Sequence, residues 1–232
     1  MTGEGQRGCL LVIDGLDGSG KATQARLLAE TLAAQGRPVR QISFPNYASE
    51  SSALVKMYLA GQFGDKPDDV NAYAASSFFA VDRYASYKTD WGDFYRRGGI
   101  VIADRYTTSN GAHQCSKLPP EAWDAYLDWL FTYEYQLLGL PAPDAVIYLR
   151  VDPAVSQQLM TARYHGDESK KDIQERDLEY LERSRRAAEY CAQKLGWQTV
   201  ECTRAGTMRT VEDIGREVLA LAEAVLQKSE KS

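Results

Sequence analysis

The sequence predicts one α/β domain, in which a parallel β-sheet carries helices on both of its faces. Short apolar segments of the kind found in buried strands alternate with longer segments of helical periodicity. No internal repeat or low-complexity linker interrupts this alternation, so residues 1–232 are expected to form a single domain. The strands are predicted at residues 10–13, 39–44, 100–103, 145–151 and 199–202.

Several segments between and after these strands are predicted to be helical. Ala25, Leu28 and Leu32 mark one apolar face of the first helix, which Gly36 ends. Thr210 and Asp213 resemble a capping box at the start of the last helix. Helical periodicity covers several segments between these two: residues 52–59, 70–87 and 123–138, a segment that begins at Asp152-Pro153, and a charged segment that ends near residue 195.

Composition limits the classes of protein to which the chain can belong. Its formal net charge of −5 argues against a nucleic-acid polymer as partner, because such a partner favours a basic surface. The apolar run at residues 9–13 is far shorter than the ~20 residues that a membrane span needs, and residues 1–8 lack the apolar core of a signal peptide. The four cysteines are scattered, which indicates reduced thiols in a cytoplasmic protein without a membrane partner.

A glycine-rich turn follows the first predicted strand. Gly15-x-x-x-x-Gly20-Lys21 has the spacing of a phosphate-binding P-loop, with a strand before it and a helix after it. Glycine adopts backbone angles that other residues avoid, so amide groups can approach a phosphate closely. These amides, the helix N-terminus and the Lys21 ammonium surround a polyphosphate with positive potential. The sequence therefore predicts a nucleotide site formed by Gly15, Leu16, Asp17, Gly18, Ser19, Gly20, Lys21, Ala22 and Thr23.

Ala22 departs from this motif, which has Ser or Thr after the lysine to bind Mg²⁺. Thr23 follows one place later, but its side chain points about 100° further round the helix. Either Mg²⁺ is held differently in this chain, or the site is weakened.

Ligands of parallel α/β sheets bind at the carboxyl ends of the strands. Three segments of the chain are expected to meet there: the P-loop, Phe44-Pro45 after the second strand, and Asp104-Arg105 after the third. Arg105 is suited to grip a phosphate and Asp104 to position Mg²⁺, with a structural ion pair as the alternative.

Phe79 and Arg83 lie four residues apart in a predicted helix, so both project from the same face. An aromatic ring beside a guanidinium can form a base pocket, in which the ring stacks on a nucleobase and the arginine bonds an exocyclic oxygen. On periodicity alone, a buried Phe beside an ion-paired Arg is the more frequent arrangement. Two interpretations are open for Asp17 as well: its side chain faces an acceptor ligand, or it is a solvated carboxylate in the loop.

Together these residues resemble the thymidylate kinase family, the P-loop nucleoside monophosphate kinases that make dTDP from dTMP and ATP. The resemblance extends along nearly the whole chain and implies the three-layer P-loop NTPase fold, ATP and dTMP as substrates, Mg²⁺ as cofactor, and a homodimer. It rests on Gly-Leu-Asp-Gly-Ser-Gly-Lys at residues 15–21, Ser43-Phe44-Pro45, Phe79-x-x-x-Arg83, and Asp104-Arg105-Tyr106-x-x-Ser109-Asn110 followed by Gln114.

The resemblance also implies roles for the matching residues. Lys21, Asp104 and Arg105 would be catalytic, with Asp17 and Asp104 close to Mg²⁺. Asp17 would bond the 3′-hydroxyl of the acceptor, Phe79 would stack on thymine, and Arg83 would reach the thymine O4. The complete set expected to bind the acceptor is Asp17, Phe44, Pro45, Phe79, Arg83, Arg105, Ser109, Asn110 and Gln114.

The resemblance implies a mobile lid at about residues 161–173. Family members place a catalytic arginine either in the P-loop or in this lid. Because the P-loop position is Gly18 in this chain, Arg163 is expected to be the catalytic cation, with Lys170 and Lys171 as weaker candidates.

Besides Ala22, three residues depart from the family pattern. Tyr47 stands where some relatives have an arginine, His113 replaces an aromatic residue at the sugar, and Arg150 stands where relatives often have an acidic residue. Two alternatives to a dTMP kinase therefore stay open. One is a kinase for another nucleoside monophosphate or a deoxynucleoside, and the other is a non-catalytic nucleotide-binding relative, which Ala22 favours.

Overall fold

The computed structural model of the chain describes residues 7–163, 167 and 171–229. Its strands are β1 (Cys9–Gly15), β2 (Val39–Ser43), β3 (Ile100–Asp104), β4 (Ala145–Arg150) and β5 (Gln198–Glu201). They form one parallel sheet in the order β2-β3-β1-β4-β5. All the predicted strands are confirmed, but their ends differ by one or two residues: β1 extends to Gly15, β2 and β4 each end one residue earlier than predicted, and β5 begins and ends one residue earlier.

Helices cover both faces of the sheet. They are α1 (Lys21–Ala34), α2 (Ala53–Leu59), α3 (Ala72–Ser86), α4 (Gly92–Arg96), α5 (Thr107–Cys115), α6 (Trp123–Phe131), α7 (Pro153–Arg163), α8 (Ile173–Arg176), α9 (Leu178–Lys194) and α10 (Val211–Ser229). A small hairpin joins β6 (Thr203–Arg204) to β7 (Thr207–Met208). Within the described residues, we find no helix that combines the length and the apolar character needed to cross a bilayer.

The alternating side chains of β1 divide the core into two layers. Leu10 and Val12 pack with α5, α6 and α9 on one face, whereas Leu11 and Ile13 pack with α1 and α10 on the other. All four side chains are completely buried. Burial of one such apolar side chain contributes about 1.5–3 kcal/mol to the free energy of unfolding, so this strand is a major source of stability. The three-layer α/β fold expected from the sequence is confirmed.

The helix predicted at residues 70–87 is longer than expected. α3 continues through a π-helical segment (Tyr87–Trp91) into α4. Trp91 is completely buried and packs edge-on against the rings of Tyr87 and Tyr95, with ring centroids 4.8 and 6.0 Å away. The extra residue in a π turn shifts the apolar periodicity, which explains why the prediction ended too early.

α5 is not predicted by the apolar pattern of the sequence. Almost all of its residues are buried, although most of them are polar or small. A helix that is enclosed on nearly all sides has no separate apolar and polar faces, so it lacks the usual periodic signal. α5 follows β3 closely and carries three side chains that the family resemblance assigns to the acceptor: Ser109, Asn110 and Gln114.

A second π-helical segment, Thr132–Leu137, follows α6 and contains the completely buried Glu134. Glu134 accepts hydrogen bonds from Arg83 Nε at 2.7 Å and from Arg83 Nη2 at 2.5 Å. It also accepts from Thr107 Oγ1 at 2.8 Å and from Asn110 Nδ2 at 3.3 Å. These four residues, called the Glu134 cluster below, join α3 and α5 to the segment after α6.

We expect the Glu134→Ala variant to lose about 3–5 kcal/mol of unfolding free energy, because it leaves the buried Arg83 cation unpaired. Glu134→Gln is the matched control: it keeps the side-chain volume and one carbonyl acceptor, so its loss should be smaller. Urea unfolding followed by circular dichroism measures both values. A loss below about 1 kcal/mol in Glu134→Ala would show that the pair contributes no more than an exposed one.

Candidate active site

The predicted P-loop connects β1 to α1, and its shape depends on glycine. Gly18 has a φ of 78°, and a Cβ atom there would lie 2.9 Å from the carbonyl oxygen of Ser156 in α7. The hydroxyl of Ser156 donates a hydrogen bond to the carbonyl oxygen of Asp17 at 2.6 Å. α7 thus holds the loop in place, and any residue other than glycine at position 18 would strain it. α1 begins at Lys21, which sets its positive N-terminal end beside the loop.

A cleft of about 880 Å³ opens between the P-loop and the segments that follow β2 and β3. Of the predicted nucleotide-binding residues in the described chain, Gly15, Leu16 and Ser19 do not line this cleft. Leu16 and Ser19 line a second cavity, of about 210 Å³, between the loop, β4, α7 and α9. The cleft brings together most of the expected ligand-binding residues: Asp17, Gly18, Gly20, Lys21, Ala22, Thr23, Phe44, Pro45, Phe79, Arg83, Asp104, Arg105, Ser109, Asn110 and Gln114.

Three charged side chains meet in the cleft beside the P-loop. The Arg105 guanidinium forms an ion pair with Asp17, and the Lys21 ammonium lies 3.8 Å from the same carboxylate oxygen. Lys21 Nζ also donates a hydrogen bond to the carbonyl oxygen of Leu16 at 2.8 Å. Burial and the nearby Arg105 lower the pKa of Lys21 to about 8, from an ordinary value of 10.5. Two cations that share one carboxylate form a suitable site for phosphate oxygens.

The backbone of Arg105 is left-handed, with a φ of 67°, which is uncommon for a residue other than glycine. Its amide donates a hydrogen bond to the carbonyl oxygen of Ile13 at 3.1 Å, so the end of β3 is tied to β1. The side chain then reaches Asp17 in the P-loop. This strained residue therefore connects the end of β3 to the P-loop across the cleft.

The two acidic residues at the strand ends differ in their partners. Asp104 Oδ1 is buried and, among the described residues, has no hydrogen-bond partner, and burial raises the pKa of this carboxyl. Asp14 accepts hydrogen bonds from Thr108 Oγ1 at 2.6 Å and from Ser109 Oγ at 2.9 Å. The Ser109 hydroxyl, expected to contact the acceptor, is thus bound to a carboxylate that the sequence analysis missed. Asp14 is an acidic residue at the end of an apolar strand, directly before the P-loop, and this position is the sequence signal that could have identified it.

Phe79 and Arg83 both line the cleft, as their spacing in the helix predicts. The Phe79 ring meets the Tyr58 ring edge-on, with the centroids 6.4 Å apart. Arg83 uses Nε and Nη2 in its pair with Glu134, so the alternative of an ion-paired arginine is correct for this side chain. Arg83 also lines the cleft, so its ion pair with Glu134 is compatible with a further contact to a nucleobase. Its assignment to a base pocket stays a prediction.

The two amide side chains of α5 have different surroundings. Asn110 Nδ2 donates hydrogen bonds of 3.3 Å to Glu134 Oε1 and to the carbonyl oxygen of Ser76. Gln114 is completely buried, and neither its Oε1 nor its Nε2 has a hydrogen-bond partner among the described residues. A buried amide beside a cleft is costly unless a ligand or water completes its hydrogen bonds. Gln114 is therefore the better placed of the two to hold a polar ligand group.

Part of the expected lid lies outside the described residues. This applies to the side chain of Arg163, the expected catalytic cation, and to the whole of Lys170, whereas Lys171 is buried. α8 begins directly afterwards. The carboxylate of its N-cap, Asp172, accepts hydrogen bonds from two backbone amides of the helix at 2.8 and 2.9 Å. Asp172 and α8 line the cleft, so the end of the expected lid and the helix that follows it form one of its walls.

Comparison with known proteins relates the chain to one family. The family model described as thymidylate kinase matches residues 13–214. The thymidylate kinase of Mycobacterium tuberculosis is 34% identical over 191 residues, which cover 81% of this chain and 87% of that protein. The thymidylate kinase of Caenorhabditis elegans is 32% identical over 167 residues, which cover 68% of this chain and 70% of that protein.

A solved structure gives the same result for the fold. The thymidylate kinase of Candida albicans superposes with a TM-score of 0.67 at 21% identity, over 96% of this chain and 93% of that one. At 21% identity this likeness shows only a shared fold. Membership of a family is shown by the family model and by the more similar sequences. The extent of those sequence matches leads to one conclusion: the chain belongs to the thymidylate kinase family.

Proposed function

We propose that this chain transfers the γ-phosphoryl group of ATP to dTMP and produces ADP and dTDP. One observation carries the proposal: a single cleft joins the P-loop to a pocket of aromatic, cationic and amide side chains. Direct transfer between two nucleotides needs both of them bound at once, with their phosphates side by side. The relatives named thymidylate kinase support dTMP as the acceptor.

The phosphates of the two nucleotides would meet at Asp17, Lys21 and Arg105. Lys21 and the P-loop amides would hold the β- and γ-phosphates of ATP, and Arg105 would hold the phosphate of dTMP. Among the described residues, Arg105 contacts Asp17 and His113 through two of its five N–H groups, which leaves three for a phosphate. Asp17 would also accept a hydrogen bond from the 3′-hydroxyl of the acceptor sugar.

The thymine base would lie between Phe79 and α5. Phe79 would stack on the ring, and Arg83 Nη1, the nitrogen that does not bond Glu134, would donate to the thymine O4. Gln114 would complete the hydrogen bonds of the base with its unpartnered amide. Phe44 and Pro45 would bound the pocket on the β2 side.

Mg²⁺ fits the carboxylates that line the cleft. The unpartnered Asp104 Oδ1 is an oxygen ligand of the type that Mg²⁺ takes, and Asp17 supplies a second carboxylate in the same cleft. Mg²⁺ is commonly held by one or two carboxylates together with substrate phosphates and water, so Asp104 and Asp17 can serve without a hydroxyl at Ala22. When bound, Mg²⁺ would neutralise negative charge on the phosphates of ATP.

The protein contributes position and charge to the transfer itself. Lys21 and Arg105 would offset the negative charge that spreads over the transferred group, while the walls of the cleft keep the reacting atoms in line. Arg163 would add a further cation from the lid. Closure of the lid would exclude water, so that dTMP and not water receives the phosphoryl group.

We also propose that the chain forms a homodimer in the cytoplasm. Tyr73, Val81 and Tyr84 lie on one side of α3 and are 44%, 41% and 38% exposed, as expected for an apolar face that meets a second copy. A sedimentation measurement that finds only the monomer would contradict the dimer.

The four cysteines are buried and form no disulfide, which agrees with a reducing compartment such as the cytoplasm.

With Mg²⁺-ATP, we expect the purified chain to release ADP when dTMP is the acceptor, but not with other monophosphates or with deoxynucleosides. Lys21→Ala and Arg105→Ala should each lower kcat/KM by ~10²-fold or more, because each removes a positive charge beside the phosphates. A coupled assay of ADP release measures both effects. Arg96→Ala, which removes an exposed arginine outside the cleft, is the control and should leave the rate unchanged.

Three outcomes would count against this proposal. Near-wild-type turnover in Lys21→Ala or Arg105→Ala would remove the role assigned to that residue. Turnover with a different acceptor would indicate a related kinase. ATP binding without turnover on any acceptor would indicate a non-catalytic relative.

The reaction should depend on pH through Lys21. Because the pKa of Lys21 is about 8, the side chain loses its proton above that pH, and the phosphates of ATP lose a cationic partner. With both nucleotides well below their KM values, so that most of the enzyme is ligand-free, we expect the rate to fall by up to ~10-fold per pH unit above pH 8. Lys21→Arg stays protonated, so its profile should be level over the same range even where its activity is lower. A wild-type profile that stays level up to about pH 10 would contradict this assignment.

A further inference from the structure

A chain of buried hydrogen bonds leads from α9 to the guanidinium of Arg105. Arg105 Nη1 lies 3.2 Å from His113 Nε2, and His113 Nδ1 lies 3.4 Å from the hydroxyl oxygen of Tyr180 in α9. The same hydroxyl lies 3.1 Å from the carbonyl oxygen of His113. His113 is 7% exposed and Tyr180 is 0% exposed, so water has little access to these bonds.

The direction of each bond follows from the first one. An arginine nitrogen can only donate, so His113 Nε2 must accept and carries no proton. In a neutral imidazole the proton then lies on Nδ1, which donates to the Tyr180 oxygen. The Tyr180 hydroxyl is left to donate to the His113 carbonyl oxygen. One arrangement of protons therefore satisfies all three contacts at once.

The surroundings of His113 favour the neutral ring. Burial and the adjacent Arg105 lower the pKa of His113 to about 4, against the opposite effects of Asp17 and Asp14. A protonated ring would place a second cation beside Arg105 and remove the acceptor at Nε2. The neutral state of the ring and its bond to Arg105 therefore support each other.

His113 and Asp17 hold the guanidinium of Arg105 at two different nitrogens. Asp17 pairs with Nη2, and His113 accepts from Nη1. The left-handed backbone fixes where Arg105 leaves the sheet, but it does not fix the torsions of a long side chain. With Asp17 alone the planar group could turn about its ion pair, whereas two contacts define its plane.

We propose that His113 and Tyr180 are a positioning pair, which holds the Arg105 guanidinium in the orientation that grips the phosphate of the acceptor nucleotide. The inference rests on the proposed function for the identity of that acceptor. Tyr180 lies in the first turn of α9, just after the α8 wall of the cleft. The pair thus links the orientation of Arg105 to the chain that follows the lid.

The proton positions can be tested without turnover. Nitrogen-15 NMR of the imidazole distinguishes the two neutral tautomers and the charged ring. The sequence has only one other histidine, His165, whose signals are identified with a His165→Gln variant. We expect His113 at neutral pH to be uncharged, with its proton on Nδ1. A proton on Nε2 would overturn the proposal, because that nitrogen could not then accept from Arg105.

Steady-state kinetics test the effect on the acceptor. We expect His113→Phe to raise KM for dTMP by ~10-fold or more, since it removes a hydrogen bond to a charged group. Tyr180→Phe keeps the ring and loses the hydroxyl, and should raise the same KM by ~3-fold. His113→Gln supplies a carbonyl acceptor again and should recover most of the loss. KM for ATP should stay unchanged in all three variants.

Tyr190→Phe is the matched control, because it removes a hydroxyl on the same helix that bonds Asp124 at the surface. It should change neither KM. Since His113 and Tyr180 act as one unit, the double variant His113→Phe/Tyr180→Phe should lose no more than His113→Phe alone. Equal rises in KM for ATP and dTMP, additive losses, or the absence of rescue by His113→Gln would overturn the proposal.

Calorimetric Kd values for dTMP give the same comparison if the wild-type chain binds dTMP without phosphorylating it. In that case the proposed function fails, while an unchanged pattern of Kd values among the variants supports the positioning pair. Absence of dTMP binding by the wild-type chain would overturn both.

Discussion

The parallel pairing of β1 with β3 is the constraint on which the site depends. It sets Ile13 beside Asp104, and the Arg105 amide extends the pairing with its hydrogen bond to Ile13. The P-loop and the Asp104-Arg105 pair therefore leave the sheet from neighbouring points, which lets Arg105 reach Asp17. A shift of one residue in this register would turn each side chain to the opposite face. Such a shift would also turn Asp14 away from Thr108 and Ser109, whose hydroxyls donate hydrogen bonds to its carboxylate.

Buried polar side chains shape the part of the cleft that we propose for the acceptor. The Glu134 cluster fixes Arg83 and Asn110, and Asp14 fixes Ser109 through its hydroxyl. Taking each of these groups out of water is costly, and the hydrogen bonds between them offset that cost only when all are made. The result is a wall whose side chains are already in place before a ligand arrives, which lowers the entropy lost on binding.

Local patterns in the sequence predict the sheet and the P-loop, because an apolar strand such as residues 10–13 and the spacing of Gly15, Gly20 and Lys21 are local signals. They do not predict α5, which is enclosed and lacks a polar face. They also miss Glu134, because the π-helical segment that contains it has no sequence signature. Partners such as Asp14 and Ser109 meet only once α5 has docked on the sheet, so they belong to the tertiary structure.

The most direct test is whether one cleft holds the donor and the acceptor side by side. A ligand in which adenosine and thymidine are joined through a 5′,5′-pentaphosphate measures this by calorimetry. Since the second nucleoside binds as part of the same molecule, we expect a Kd at least ~10²-fold lower than that of either ATP or dTMP. An affinity no tighter than that of the better mononucleotide, or free dTMP that still binds beside the joined ligand, would contradict the shared cleft.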